Sequence, residues 1–306
     1  MARARLLAAL ALLLALGACT GFFFQPMKQH VFDPASIGFT YRDVDFAAAD
    51  GTALHGWYFP AEGEPLGSVL FLHGNAENIS THFANVAWLA KSGFAVLVFD
   101  YRGYGRSAGS PTLDGLHQDV AAAMEALLRQ PETDPDRIAV IGQSLGGALA
   151  LTAMAASPMK GRLRAVIIEG AFSGYPEIAR EKLGGFWLTW PLQAPLGWTI
   201  DGRYRPLEAA AEIAPVPLLV ILDEADTIIP PHHGEALFDA AGEPKTLWRL
   251  PGSGHIQAFA TVGNRHRLVE YLRAVMAAPA GGISLAERLH RPARRPAGAK
   301  AGREGG

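Results

Sequence analysis

Ser144 sits in the run Ile138-Ala139-Val140-Ile141-Gly142-Gln143-Ser144-Leu145-Gly146-Gly147, where an apolar, β-branched stretch gives way to a helix-forming one. Gly142 and Gly146 flank it two positions away on either side, the spacing G-x-S-x-G. A strand turning this sharply into a helix forces its serine into a strained conformation. Side chains at the flanking glycines would collide with strand or helix. The hydroxyl then stands at the C-terminal edge of a sheet, over a helix end whose unpaired N–H groups can face a developing negative charge. That is the chemistry of acyl transfer by a nucleophilic serine. The chain has 34 Gly, so the spacing alone is weak. Its place between an apolar strand and the Ala-rich stretch Ala148-Leu149-Ala150-Leu151 makes it specific.

A serine hydroxyl needs a base, usually a histidine held by a carboxylate. In a sheet of this kind the acid follows a later strand and the histidine follows the last one. Asp226 lies in Asp223-Glu224-Ala225-Asp226-Thr227-Ile228-Ile229-Pro230, after the apolar run 217–222. Asp223 and Glu224 are its rivals. His255 closes Pro251-Gly252-Ser253-Gly254-His255 after the run 246–250, and of ten histidines it alone has this placement. Gly252 and Gly254 are expected to leave room for the imidazole. The oxyanion would be held by the N–H groups of Leu145 and Asn75, with Ala76 the alternative to Asn75. His73 reads as a structural residue that fixes its loop. His232-His233 reads as chance, since adjacent histidines point apart and no carboxylate or cysteine stands at ligand spacing, so no metal is expected. No phosphate-binding glycine loop precedes a lysine, and the chemistry calls for no cofactor.

The elements that must position these residues follow from periodicity. Residues 39–46 and 54–59 are short β-rich segments joined by Asp50-Gly51, an antiparallel hairpin. Strands over 68–72, 94–99, 138–142, 165–168, 217–222 and 246–250 then alternate with helices over 79–92, 112–129, 148–154, 234–241 and 257–278. Continuous apolar strands alternating with helices predict an α/β fold, a mostly parallel central sheet covered by helices on both faces. Residues 172–213 break the alternation. Phe186, Trp187, Trp190, Pro191, Pro195 and Trp198 make this segment a small cap or lid over the strand ends, and an expected wall for an apolar substrate.

Taken together, His73-Gly74-Asn75-Ala76-Glu77-Asn78, Asp100-Tyr101-Arg102-Gly103-Tyr104-Gly105-Arg106-Ser107, Gly142-Gln143-Ser144-Leu145-Gly146-Gly147, Asp226 and His255 resemble an α/β-hydrolase serine hydrolase over residues 39–278. The first two elements are similar to its branch of membrane-associated acyl hydrolases and protein depalmitoylases. One departure is Leu222-Asp223, where many members carry His-Gly. The resemblance implies a Ser144–His255–Asp226 triad and a small-molecule ester or thioester as substrate. A peptidase of the same fold is the runner-up, and a non-catalytic envelope lipoprotein the alternative from another class. Asp100 and Arg102 are expected to pin the loop beside the site by ion pairing.

The ends of the chain read differently. Arg3 and Arg5 precede the apolar run 6–16 and then Gly17-Ala18-Cys19, an export signal with a short h-region. Leu16-Gly17-Ala18-Cys19 resembles a bacterial lipobox, which implies a signal peptide over 1–18, lipidation at Cys19 and attachment to a membrane. Thr20, in place of aspartate, favours the outer over the inner membrane of the cell envelope. Cys19 is the only cysteine, so an intramolecular disulfide is impossible. Residues 19–38 are expected to be a tether and residues 279–306 a disordered basic tail. With a net charge of -2 over 306 residues, and no basic patch with interleaved aromatics, nucleic acid is not an expected partner.

Overall fold

The computed structural model describes residues 24–184 and 202–277. Its strands are β1 (Gln25–Pro26), β2 (Arg42–Ala47), β3 (Ala53–Phe59), β4 (Gly67–Leu72), β5 (Ala76–Glu77), β6 (Phe94–Asp100), β7 (Ile138–Gln143), β8 (Leu163–Glu169), β9 (Leu218–Asp223) and β10 (Lys245–Leu250). The helices are α1 (Ile79–His82), α2 (Leu113–Leu128), α3 (Leu145–Ala155), α4 (Tyr175–Gly184), α5 (Pro206–Glu212), α6 (Pro231–Ala240) and α7 (Val262–Met276). Eight strands form one sheet in the order β10-β9-β8-β7-β4-β6-β3-β2. Only the β2–β3 and β3–β6 pairings are antiparallel, as the hairpin and the later alternation predict.

Both sheet faces are buried, which is why the central strands read as unbroken apolar runs. Successive residues point to opposite sides. Leu70, Leu72 and Val140 enter one core with residues of α2, α3 and α5. Val69, Phe71 and Ile141 enter the other, with Leu268, Leu272 and Val275 of α7. Local signals set several helix starts. The Thr112 side chain accepts from the Gly115 amide ahead of α2, and Thr261 does the same for Asn264 ahead of α7.

The stretch 79–92 is not one helix. After α1 it continues as short 3₁₀ turns over Phe83–Asn85 and Ala87–Ser92. Trp88 Nε1 donates to Asn85 O at 2.8 Å, the carbonyl that the Leu89 amide would need in an α-helix.

Residues 24–38, expected as part of a tether, lie on the domain. Phe24 is buried in the core. β1 pairs in parallel with β5, and Asn78 Nδ2 donates to Met27 O and Gln29 O at 3.0 and 2.7 Å. The cause is non-local: these polar partners come from the loop after β4. Cys19, the signal segment, the tail and the tryptophans at 187, 190 and 198 lie outside the described residues, and only the flanks of the cap, α4 and α5, lie within them. Among the described residues no helix is long and apolar enough to cross a membrane.

Candidate active site

β7 ends at Gln143 and α3 begins at Leu145, so Ser144 alone makes the turn. Its backbone takes φ 54 and ψ -116, a conformation costing about 1–3 kcal/mol for a side-chain-bearing residue. The glycines make the turn possible. A Cβ on Gly142 would lie 2.2 Å from Gly146 O, and one on Gly146 would lie 2.0 Å from Leu72 O. The Ser144 amide donates to Glu169 O at 2.8 Å, tying the turn to the end of β8. The Leu145 N–H opens α3, where a first-turn amide has no carbonyl to reach within the helix.

The sheet brings Asp226 and His255 together. His255 Nδ1 donates to Asp226 Oδ2 at 2.7 Å. The other oxygen, Oδ1, accepts from the Ile228 and Ile229 amides at 2.8 Å each, so the carboxylate is aimed by its own loop. Nδ1–H is thereby committed, and Nε2 is the ring nitrogen left to accept a proton. The rival Asp223 does other work. It accepts from the Ala225 amide at 2.9 Å and the Ser253 amide at 2.6 Å, stitching the acid loop to the histidine loop. Burial opposes its ionisation, but the amides of Ser253 and Ala225 outweigh this and lower its pKa.

Gly252 and Gly254 serve a purpose other than the expected one. They adopt φ of 129 and 90, and a Cβ on Gly254 would meet nothing within 4 Å. Backbone conformation, not room for the ring, is what glycine supplies there. Ile256, next to the histidine, also has a positive φ of 50, an outlier for a β-branched residue. The glycine that does make room is Gly170, where a Cβ would lie 3.1 Å from the His255 ring and 3.3 Å from Asp226 Oδ2.

The loop carrying Asn75 is braced by the two tyrosines of the 100–107 motif. Tyr101 Oη donates to His73 O at 3.1 Å, and Tyr104 Oη to Asn75 O at 2.7 Å. Burial raises both phenol pKa values, so both remain donors. His73 fixes the loop as expected, donating Nδ1–H to Gly74 O at 2.7 Å. Burial pushes its pKa down to about 3 and also lowers that of His82, which donates to Ala76 O. Both rings are neutral at ordinary pH. Asp100 and Arg102 do not pair with each other. Arg102 binds Asp119 and Asp50, each at 2.8 Å, while Asp100 faces His30 and His55.

A relay under the serine went unread in the sequence. Asn85 Nδ2 donates to Gln143 Oε1 at 2.8 Å, Gln143 Nε2 to Glu169 Oε2 at 2.6 Å, and the Ala258 amide to Glu169 Oε1 at 2.7 Å. It links the residue before Ser144 to the segment just after His255. A glutamate closing the apolar run 165–168 was its only sequence signal. The reading of His232-His233 also changes. The rings stack at 4.4 Å, and Glu181 of α4 approaches their Nε2 atoms at 3.0 and 3.3 Å. The fold supplies the carboxylate that local spacing lacked.

Comparison with known proteins follows this geometry. A family model described as serine aminopeptidase, S33 matches residues 63–199. The fold is that of an esterase from Pyrococcus furiosus, with a TM-score of 0.67 at 22% identity, covering 83% of this chain and 98% of that one. Protein bem46 of Schizosaccharomyces pombe is 28% identical over 232 residues, 73% of each chain. The uncharacterized protein YfhR of Escherichia coli (strain K12) is 35% identical over 243 residues, 78% of this chain and 80% of that one. These likenesses support a hydrolase, and with the sheet order and the elbow at Ser144 they place the chain: it belongs to the α/β-hydrolase family that includes YfhR.

Proposed function

We propose that this protein is a serine hydrolase cleaving a carboxylic ester or thioester of a small-molecule acyl substrate, held at the bacterial envelope by a lipid on Cys19. The observation that carries the reading is the 2.7 Å bond from His255 Nδ1 to Asp226 Oδ2, with the strained Ser144 at the head of α3. In the first half-reaction Ser144 Oγ attacks the acyl carbonyl carbon as His255 Nε2 takes its proton. Asp226 stabilises the imidazolium and does not itself become protonated. The carbonyl oxygen becomes an oxyanion before the N–H groups of Leu145 and Asn75. Collapse expels the alcohol or thiol, which receives the proton from His255. Water, deprotonated by the same ring, then releases the acid and restores Ser144.

A fluorophosphonate probe tests this reading. Labelling of the wild-type protein, lost in Ser144→Ala and His255→Ala, supports it. A folded wild type that stays unlabelled would overturn it and favour the binding lipoprotein. The description of the matching family favours a peptidase as the second reading, and paired aminoacyl amides and acyl esters separate the two. The anchor is tested by Cys19→Ser, expected to move the protein out of the membrane fraction; fractionation of the wild type between the two membranes tests the outer-membrane assignment.

A further inference from the structure

Away from the serine, three segments distant in sequence converge on one point. His30 comes from the N-terminal segment, His55 from β3 and Asp100 from the end of β6. One ligand atom from each lies within 4.8 Å of the others. His30 Nε2 is 2.7 Å from Asp100 Oδ2, and His55 Nδ1 is 3.8 Å from the same oxygen.

The proton positions can be worked out. Asp43 Oδ1 lies 2.7 Å from His55 Nε2, and a carboxylate only accepts, so the proton is on Nε2. His55 Nδ1 is then directed at His30 and Asp100, is buried, and has no hydrogen-bond partner. The residue as a whole is 5% exposed. An orphaned ring nitrogen facing a fully buried carboxylate is answered either by a proton on that nitrogen or by a cation between them.

We propose that His30 Nε2, His55 Nδ1 and Asp100 Oδ2 form a binding site for a zinc-class divalent cation. Two imidazoles and one carboxylate suit such an ion, with a fourth position open to water. Ligand bonds of about 2.0–2.2 Å set neighbouring tetrahedral ligands roughly 3.3 Å apart. The separations of 2.7 and 3.8 Å bracket that value. On binding, the His30 proton moves from Nε2 to Nδ1, so a neutral ring releases none.

The outer partners are those of a built site. Asp43 holds His55 in the required tautomer, and Asp100 accepts from the amides of Ile79 and Arg106, each at 3.1 Å. Arg106 is a nearby opposing charge, with its Nη1 3.3 Å from both Asp43 Oδ1 and His55 Nε2. A cleft of about 510 Å³ lined by Asp43, Asp45, His55 and Arg106 lies beside the outer partners of the cluster. The ion would clamp the N-terminal segment beside the loop that carries Asn75.

The test uses the full, untagged chain in detergent, stripped with a chelator and titrated with Zn²⁺ by calorimetry and with Co²⁺ by visible absorption. One equivalent is expected, with tetrahedral-type Co²⁺ bands. His30→Ala should abolish uptake, and Asp43→Asn should weaken it by about 10–100-fold, with circular dichroism verifying that both variants are folded. His232→Ala should leave it unchanged. The proposal is overturned by a wild type that takes up no metal, which would make His55 an imidazolium between two carboxylates. It is also overturned if His30→Ala binds like the wild type, or if His232→Ala removes the binding instead.

Discussion

Ser144 is held by the backbone of its turn, Asp226 by the amides of its own loop and His255 by the Asp226 carboxylate. Positive φ recurs around them: Ser144 itself at 54, Gly170 at 57, Gly252 at 129, Gly254 at 90 and Ile256 at 50. Asp226 and Asp223 lie three positions apart, and the place of Asp226 just before Ile229-Pro230 favours it as the acid. Their partners separate them: Asp226 meets an imidazole, Asp223 meets amides. In Asp226→Asn the His255 ring loses the group that fixes its tautomer, and kcat should fall by about 10⁴-fold. In Asp223→Asn the stitched loops lose part of their charge-assisted bonding, with a cost of about 1–2 kcal/mol in stability and a far smaller loss of rate. Ester turnover and thermal melts of the two variants check this. Equal rate losses would sink the assignment of the acid.

Between elements, buried charges do the joining. Glu169 ties β7, β8 and the segment before α7 together. Burial raises its pKa from 4.5 to about 6, against the lowering effect of the Ala258 amide and Gln143. The folded state therefore holds the proton more tightly than the unfolded state. Stability is greatest below pH 4.5 for this group, and falls by about 2 kcal/mol as pH rises through 6. Glu169→Gln removes that dependence, so the difference between variant and wild-type melts should change across this window. At its acid end the variant is expected to be about 1–3 kcal/mol less stable, because its amide N–H faces that of Gln143. A flat difference would show that Glu169 does not titrate there. Arg102 joins the loop after β6 to α2 through the fully buried Asp119. Burial raises the Asp119 pKa, even against its bonds to Arg102. Arg102→Met leaves that carboxylate without its ion-pair partner, and should cost about 3–5 kcal/mol in denaturant melts. Recovery in Arg102→Met/Asp119→Leu would assign the loss to the orphaned charge.

Over the whole molecule, the N-terminal segment is part of the fold. A tether would make Phe24→Ala neutral. A Phe with 5% exposure in the core should instead cost about 3–5 kcal/mol, lowering Tm by roughly 5–15 °C in a domain of this size. The same segment runs alongside the loop after β4 through β1 and β5, which joins residues 25–26 to the loop that carries Asn75. An unchanged Tm in Phe24→Ala would return residues 24–38 to the status of a tether.

The elbow around Ser144, the strand–helix alternation and the opening hairpin were legible in the chain itself because each is local. Steric limits on adjacent glycines and the periods of apolar residues act over a few positions. The loops that carry Asp226 and His255 were legible for a related reason, since each follows an apolar strand. What could not be read were partnerships between segments far apart in sequence. Glu169 under Gln143, Glu181 beside His232 and His30 against Asp100 span up to 70 residues. Strand register and helix placement decide them, and no spacing along the chain encodes which buried polar groups will meet.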